Sequence, residues 1–210
     1  MATPPPLVLV HGLWDSPQVF DRLAALLQRR QPKLELLIPH LRHGLGHVPL
    51  RQLAARLDQQ IQARFPANTR LDLLGFSMGG LIARLWLQDW GGHRRTRRFL
   101  CLGSPQQGTL LAQLMPPQLL AGIADMKVGS PLLRDLQRRS DRLTDVRCLS
   151  FYTPTDLMVI PGWRAVLPSG DRQALPVWTH RQLIRDTRAL DLVADVLLAS
   201  DTDLDGRQGP

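Results

Sequence analysis

Cysteine is scarce in this sequence: Cys101 and Cys148 are the only two, and each lies within an apolar run. Two cysteines cannot supply the disulfide framework of a small secreted domain, and their spacing matches no zinc-binding pattern. We therefore expect both thiols to be buried in the core.

Long apolar runs are also missing. No stretch reaches the length needed to cross a bilayer, and residues 1–6 contain neither the basic region nor the apolar core of a secretion signal. The 210 residues, of which 44% are hydrophobic and 21% charged, suit one folded domain without repeats or linkers. We expect a cytoplasmic protein that acts as a monomer.

Lysine and glutamate are almost absent, since Lys33, Lys127 and Glu35 are their only representatives. The formal net charge of +8 rests on arginine, but the bias runs through both signs, which is more typical of residue usage than of a nucleic-acid partner. The basic run from His93 to Arg98 has no interleaved aromatic residues and no recognised binding motif. We predict no nucleic-acid partner; the functional alternative for this run is weak association with anionic lipid surfaces.

Apolar runs and amphipathic helical patterns alternate along the chain. Strands are predicted at residues 7–10, 34–38, 71–76, 99–102 and 146–152, with a looser strand at 174–178. Helices are predicted after Ser16-Pro17, at 50–65, at 79–90 and around 183–197. This alternation predicts an α/β fold, a single domain over residues 1–210 with a mostly parallel central sheet flanked by helices. In such sheets the ligand site lies at the carboxyl ends of the strands.

The alternation is interrupted between residues 109 and 143, where leucine-rich stretches surround Pro116-Pro117. We predict a short, cap-like helical insertion over one end of the sheet. With its leucines and Met115 it either covers an acyl chain beside Leu13, Trp14 and Val159, or packs without contacting a lipid. The tail at 201–210 is predicted to fray.

The strongest chemical signal is Gly75-Phe76-Ser77-Met78-Gly79, a G-x-S-x-G pattern between a predicted strand and a predicted helix. A serine on so sharp a turn adopts a strained backbone, and the flanking glycines remove the side chains that would clash there. The turn lifts the hydroxyl to the amino end of the next helix, where N–H groups and the helix dipole favour negative charge. Ser77 is therefore the candidate nucleophile.

A serine hydroxyl needs a general base with a pKa near neutrality, which histidine provides. Five of the six histidines, at positions 11, 40, 43, 47 and 93, precede the last predicted strands. His180 alone follows the last strand, a position that returns to the carboxyl edge beside the nucleophile. His180 is therefore the candidate base.

A carboxylate must then fix the imidazole tautomer and stabilise the imidazolium. Asp156 is favoured because it lies just past the strand at 146–152 and gives the chain order Ser, Asp, His. Asp171, which is closer in sequence to His180, and Asp125, in the insertion, remain open as alternatives.

Acyl transfer also requires hydrogen-bond donors for the oxyanion of the tetrahedral intermediate. The backbone N–H of Met78, directly after the nucleophile, is one candidate. The second is the N–H of Leu13, in the turn His11-Gly12-Leu13-Trp14 after the first strand. Gly12 allows the backbone to approach the nucleophile closely.

These residues together resemble the α/β-hydrolase superfamily, most closely its compact bacterial lipases and carboxylesterases. The similarity covers nearly the whole chain and is carried by Val10-His11-Gly12-Leu13, the serine motif with Gly80, residues 102–109 (LGSPQQGT), residues 156–161 (DLMVIP) and Thr179-His180. In such enzymes an ester acylates the serine and water then releases the acid. The resemblance implies the same roles for Ser77, His180 and Asp156.

The sequence also departs from these relatives. Phe76 stands where many lipases have histidine, Gln106 and Gln107 lie in a segment that often carries one, and a secretion signal is missing. These differences favour an intracellular esterase, lipid acyl-hydrolase or thioesterase over an enzyme that digests extracellular fat.

The sequence thus predicts a serine hydrolase of carboxylic esters with lipid-like acyl groups, without metal or cofactor. Trp14 and Val159 are the predicted substrate contacts. An acyl thioesterase or transacylase could use the same residues, and a non-catalytic binding protein could keep the same fold.

Overall fold

The central feature of the computed structural model, which describes residues 4–114 and 120–199, is a six-stranded, fully parallel sheet. Its strands are β1 Leu7–Val10, β2 Leu36–Leu37, β3 Leu71–Phe76, β4 Thr96–Leu102, β5 Arg147–Tyr152 and β6 Asp171–Ala174. They are arranged in the order β2-β1-β3-β4-β5-β6. The predicted fold class, a single α/β domain, is confirmed.

Helices cover both faces of this sheet. They are α1 Asp21–Arg30, α2 Leu50–Arg64, α3 Met78–Asp89, α4 Leu110–Gln113, α5 Ala121–Ala124, α6 Pro131–Arg138 and α7 Thr187–Leu198. One core joins the sheet to α2, α3 and α6, and the other joins it to α1 and α7. None of the helices in the described ranges is long and apolar enough to cross a membrane.

Two neighbouring interior strands, β1 and β3, show why continuous apolar runs form this sheet. All their residues are buried, because alternate side chains enter the cores on opposite faces. The sheet edge formed by their carboxyl ends is therefore held rigidly from both sides.

The sixth strand lies earlier than predicted, at residues 171–174 instead of 174–178. Leu175 and Val177 are buried, as in a half-buried strand, but Pro176 lacks an N–H and the Val177 N–H donates to the carbonyl of Leu175. The final helix is also later than predicted, since Leu183 belongs to a 3-10 turn at His180–Ile184 that precedes α7.

The insertion at 109–143 contains α4, α5 and α6. Met115 and the neighbouring Pro116-Pro117 lie outside the described residues, as does the tail at 201–210. Ile123, in α5, and Met126, two residues after this helix ends, are buried in the core that faces α2 and α3. The insertion is therefore packed onto the domain at this point.

Most of the basic run has structural partners. Arg97 forms a two-bond ion pair with Asp72, with N···O distances of 3.0 and 2.6 Å. Arg98 is buried and donates to carbonyl groups at the end of α7, including that of Ala199 at 2.7 Å. Arg94, just before β4, is exposed.

The two thiols are buried and free, as expected. Burial raises the pKa of Cys101 well above its ordinary value and that of Cys148 to about 12. Neither thiol is therefore a nucleophile near neutral pH.

Candidate active site

Ser77 lies on a strained turn between β3 and α3. Its backbone has φ 53° and ψ −130°, a conformation that costs side-chain-bearing residues about 1–3 kcal/mol. Two backbone hydrogen bonds hold it: the Ser77 N–H donates to Leu102 O at 2.9 Å, and Gly80 N–H donates to Ser77 O at 3.1 Å. The surrounding strands thus impose the geometry that exposes the hydroxyl.

Sterics explain the two motif glycines. A Cβ at Gly75 would lie 2.3 Å from the Cα of Gly80, and one at Gly79 would lie 2.0 Å from the carbonyl oxygen of Val10. Both distances are far below contact, and both neighbours are backbone atoms. The turn can therefore form against β1 only without those side chains.

His180 is joined to Asp156 as the sequence order suggested. His180 Nδ1 lies 2.8 Å from Asp156 Oδ2, and the carboxylate is almost fully buried. The other carboxylate oxygen accepts hydrogen bonds from the backbone N–H groups of Met158 at 2.8 Å and Val159 at 3.0 Å. An Asp156 carboxylate held in this way keeps the His180 proton on Nδ1 and leaves Nε2 available as a base.

The two alternative carboxylates lie elsewhere. Asp171 begins β6, is exposed, and pairs in register with Leu149. Asp125 accepts the backbone N–H of Leu50 at 2.9 Å and so anchors the start of α2, and burial raises its pKa. Of the three candidates, only Asp156 contacts His180.

The His180 ring also has apolar support. The ring of Phe76 lies against it, with the centroids 5.0 Å apart and the planes tilted by 30°. Gly103 passes so close that a Cβ there would lie 3.2 Å from the imidazole and 2.5 Å from Leu183 Cδ1. Phe76 was noted in the sequence as a departure from many lipases; its contact with His180 could not be inferred from that pattern.

The loop after β1 approaches the nucleophile from the other side. A Cβ on Gly12 would lie 2.8 Å from the Cβ of Ser77, so only glycine permits this approach. Leu13 lines the same cavity as Ser77, and Met78 is the first residue of α3, where helix N–H groups lack helical acceptors. Both candidate oxyanion donors therefore belong to backbone that adjoins Ser77.

Two buried histidines brace this loop. The backbone N–H of Leu41 donates to His11 Nε2 at 3.1 Å, which leaves the proton on Nδ1 to be donated to Gly12 O at 3.0 Å. The N–H of Trp14, a residue with φ 60°, donates to His43 Nε2 at 3.1 Å. His43 was missed by sequence reasoning; the three histidines after β2 were the only signal, and their spacing does not show which one meets the loop.

His11 is expected to weaken folding in acid. Burial lowers the pKa of His11 below its ordinary 6.5. Below about pH 6.5 the unfolded chain therefore takes up a proton that the folded chain excludes, so the free energy of unfolding decreases as the pH falls, by at most about 1.4 kcal/mol per pH unit. Denaturant titrations at several pH values should show this slope reduced in His11→Asn and unchanged in His47→Asn, where the histidine is exposed. Equal slopes in wild type and His11→Asn would contradict this assignment.

An apolar cavity of about 390 Å³ opens beside Ser77 and His180. Both predicted substrate contacts, Trp14 and Val159, line it. Its remaining wall is mostly apolar and includes Leu13, Leu111, Ala112, Ile123, Met126, Leu157 and Met158. Such a space suits a hydrocarbon chain whose polar end points at the serine.

The hydrogen-bond chain from Asp156 through His180 does not extend to Ser77. Between the described residues, a hydrogen bond joins His180 to Asp156, but none joins His180 to Ser77. Catalytic hydrogen bonds are often long in ligand-free structures and shorten when substrate binds.

Within the described ranges, no three side chains of His, Cys, Asp or Glu cluster as a metal site would require.

The segment at 103–108 contributes a buried polar network behind the site. Gln106 donates to Ser104 Oγ at 3.0 Å and to Cys101 Sγ at 3.1 Å, and it accepts a bond from the buried Arg84 at 3.3 Å. Burial lowers the pKa of Arg84 to about 10, so the guanidinium stays charged at neutral pH. Gln106, noted as a departure from the lipase pattern, therefore anchors the loop after β4.

Solved structures share this fold. A lipase from Bacillus licheniformis in its propeptide form has 17% identity and a TM-score of 0.73 over 95% of this chain and 51% of that chain. Lipase B from Aspergillus fumigatus has 16% identity and a TM-score of 0.75 over 96% and 56% of the two chains. The mature Bacillus lipase has 17% identity and a TM-score of 0.71 over 94% and 93%. This chain thus spans about half the length of the first two proteins, and at these identities the likeness shows the fold.

The sequence itself identifies a family. A search with this sequence finds no matching curated protein. The model of the palmitoyl protein thioesterase family matches residues 6–153, more than two thirds of the chain. The match includes the loop after β1 and the serine turn, and it ends three residues before Asp156, so that Asp156 and His180 lie outside it. The chain belongs to the palmitoyl protein thioesterase family.

Proposed function

We propose that this protein is a serine hydrolase that removes long acyl chains from thioesters or esters. Ser77 is the nucleophile, His180 the general base and Asp156 the residue that orients it. The observation that carries the proposal is the 2.8 Å contact between Asp156 and His180 at the wall of an apolar cavity that also holds Ser77 on a strained turn. A pure binding protein has no need for this combination.

In the proposed reaction, Ser77 Oγ attacks the acyl carbonyl while His180 Nε2 accepts the hydroxyl proton. The negative charge moves to the carbonyl oxygen, where the N–H groups of Leu13 and Met78 stabilise it. The bond to the leaving group then breaks, and His180 returns the proton to the departing sulfur or oxygen. Water attacks the acyl-serine by the same steps in reverse and releases the acid.

The acyl side of the substrate is better defined than the leaving group. The cavity wall offers hydrocarbon contacts to a long chain, and the family match supports palmitoyl-like groups. Sequence reasoning favoured carboxylic esters, with thioesters as the alternative. The family match favours the thioester, and the proposed mechanism accepts both.

Acyl-chain length provides the first test. With p-nitrophenyl esters from acetate to palmitate, we expect kcat/KM to rise with chain length, because each methylene that enters the cavity is worth about 0.8 kcal/mol. Met126→Trp would fill part of the cavity wall and should shift the optimum to shorter chains. Leu198→Trp, which changes a residue in α7 on the opposite core, is the control and should leave the optimum in place. A flat profile would contradict an acyl-binding cavity.

The leaving group can be tested with a matched pair of donors, a palmitoyl thioester and a palmitoyl oxygen ester. If both pass through one palmitoyl-Ser77 intermediate, added methanol, which does not react with the free donors, must capture the same fraction of the acyl group as methyl palmitate from either donor. Different fractions would mean that the two reactions do not share an acyl-enzyme. The ratio of the two kcat/KM values then identifies the preferred class of leaving group.

A further inference from the structure

Large hydrophobic side chains are exposed on one edge of the described molecule. Eight of them have between 41% and 78% of their surface accessible, and each follows the carboxyl end of β1, β2, β4, β5 or β6. We call this set the apolar rim: Trp14, Leu45, Leu110, Leu114, Leu157, Met158, Trp163 and Trp178. Among the described residues, the long helices α1, α2, α3, α6 and α7 contribute none.

The apolar rim surrounds the mouth of the candidate site. Because all strands are parallel, their carboxyl ends meet at one edge, the edge that carries Ser77. Trp14, Leu157 and Met158 also line the cavity, so the exposed surface is continuous with its apolar wall. Concentrated exposure of this kind marks an interaction surface.

Charge on the same face favours an anionic partner. Of the carboxylates near these strand ends, Asp15 is paired with Arg181 and Asp156 contacts His180, while Asp125 and Asp186 accept the backbone N–H groups of Leu50 and Ala189. Arg42 and Arg185 are exposed there, and Arg185 shares a groove with Trp14 and Leu45. Cationic and apolar groups thus lie side by side in this groove.

We propose that the apolar rim docks on the surface of a bilayer that contains anionic phospholipid. Three of the five tryptophans lie on the rim, and tryptophan prefers the boundary between headgroups and acyl chains. An acyl chain could then pass from the bilayer into the cavity without crossing water. This inference rests on the proposed function and deepens it, because it makes the substrate an acyl group already resident in a membrane.

The surface differs from the one that the sequence suggested. The basic run at residues 93–98 precedes β4 and includes the start of that strand, so it lies at the opposite, amino edge of the sheet. Most of its arginines have partners in the fold. The rim offers apolar area and cationic groups together, which the basic run does not.

Binding can be measured separately from catalysis with Ser77→Ala protein. We expect it to cosediment with vesicles of phosphatidylcholine and phosphatidylglycerol, and less with phosphatidylcholine alone. Leu114→Gln and Trp178→Gln, both outside the cavity wall, should each lower the partition coefficient about tenfold. In otherwise wild-type protein these two changes should leave hydrolysis of soluble p-nitrophenyl acetate within about twofold of the original rate. Arg94→Gln, on the basic run, is the matched control and should leave vesicle binding unchanged.

Three results would overturn the proposal. One is that Ser77→Ala protein fails to bind anionic vesicles, and another is that Arg94→Gln alone removes the binding. The third is that the rim variants turn a dimer into a monomer and do not change vesicle binding, which would make the rim a contact between two copies. Failure of the proposed function would look different: wild-type protein would not hydrolyse soluble esters, whatever its affinity for vesicles.

Discussion

Replacement of Ser77 by alanine is expected to abolish turnover and leave the fold intact. Removing a serine nucleophile lowers kcat about 10⁶-fold. Without the hydroxyl, His180 has no proton to accept and no acyl-enzyme can form. The backbone at Ser77 is held by hydrogen bonds from Gly80 and to Leu102, which alanine preserves. Rates with a p-nitrophenyl ester, together with labelling by a fluorophosphonate, measure the effect.

Ser16→Ala is the matched control for this substitution. Ser16 lies in the loop after β1 and its side chain forms no cap on the 3-10 turn that follows. We expect full labelling and full activity in this variant, and neither in Ser77→Ala. Labelling retained by folded Ser77→Ala protein would assign the nucleophile to another residue.

Asp156→Asn is expected to lower kcat by about 10⁴-fold with little change in the fold. The asparagine oxygen can still accept the N–H groups of Met158 and Val159, which hold the carboxylate in the wild type. Its NH₂ group would then face His180 Nδ1, which must become an acceptor. The imidazole proton moves to Nε2, and His180 can no longer accept the proton of Ser77.

Asp171→Asn tests the competing assignment with the same chemical change. Asp171 is exposed on β6 and makes no contact with His180 among the described residues, so we expect kcat within about twofold of wild type. Steady-state rates and thermal melts of the two variants should be measured together. A large loss in Asp171→Asn with a small one in Asp156→Asn would reverse the assignment of the acid.

The sequence was most informative where local sterics determine the structure. The two glycines around Ser77 remove side chains that would meet backbone atoms at 2.0 to 2.3 Å, so the motif identifies the turn without knowledge of the rest of the fold. The continuous apolar runs of β1 and β3 also predict these strands directly, because both faces of each strand are buried. Alternation of such runs with helices was sufficient to predict the parallel sheet.

The sequence was less informative where distant segments meet. The burial of Leu175 and Val177 resembles a strand, and only the contacts of the folded chain show that β6 ends at Ala174. The support that Phe76 gives to His180 and the bond from Trp14 to His43 join residues from different loops. No spacing rule connects those positions, so the structure was needed to find them.

In the proposed reaction an acyl group passes through a covalent bond to Ser77, and mass spectrometry of the quenched reaction detects that bond. Wild-type protein mixed with a palmitoyl thioester and quenched in acid during turnover should carry one palmitoyl group, located on the peptide that contains Ser77. The adduct should be lost in Ser77→Ala. Rapid product release with no adduct on Ser77, or an adduct on another residue, would show that Ser77 is not the nucleophile.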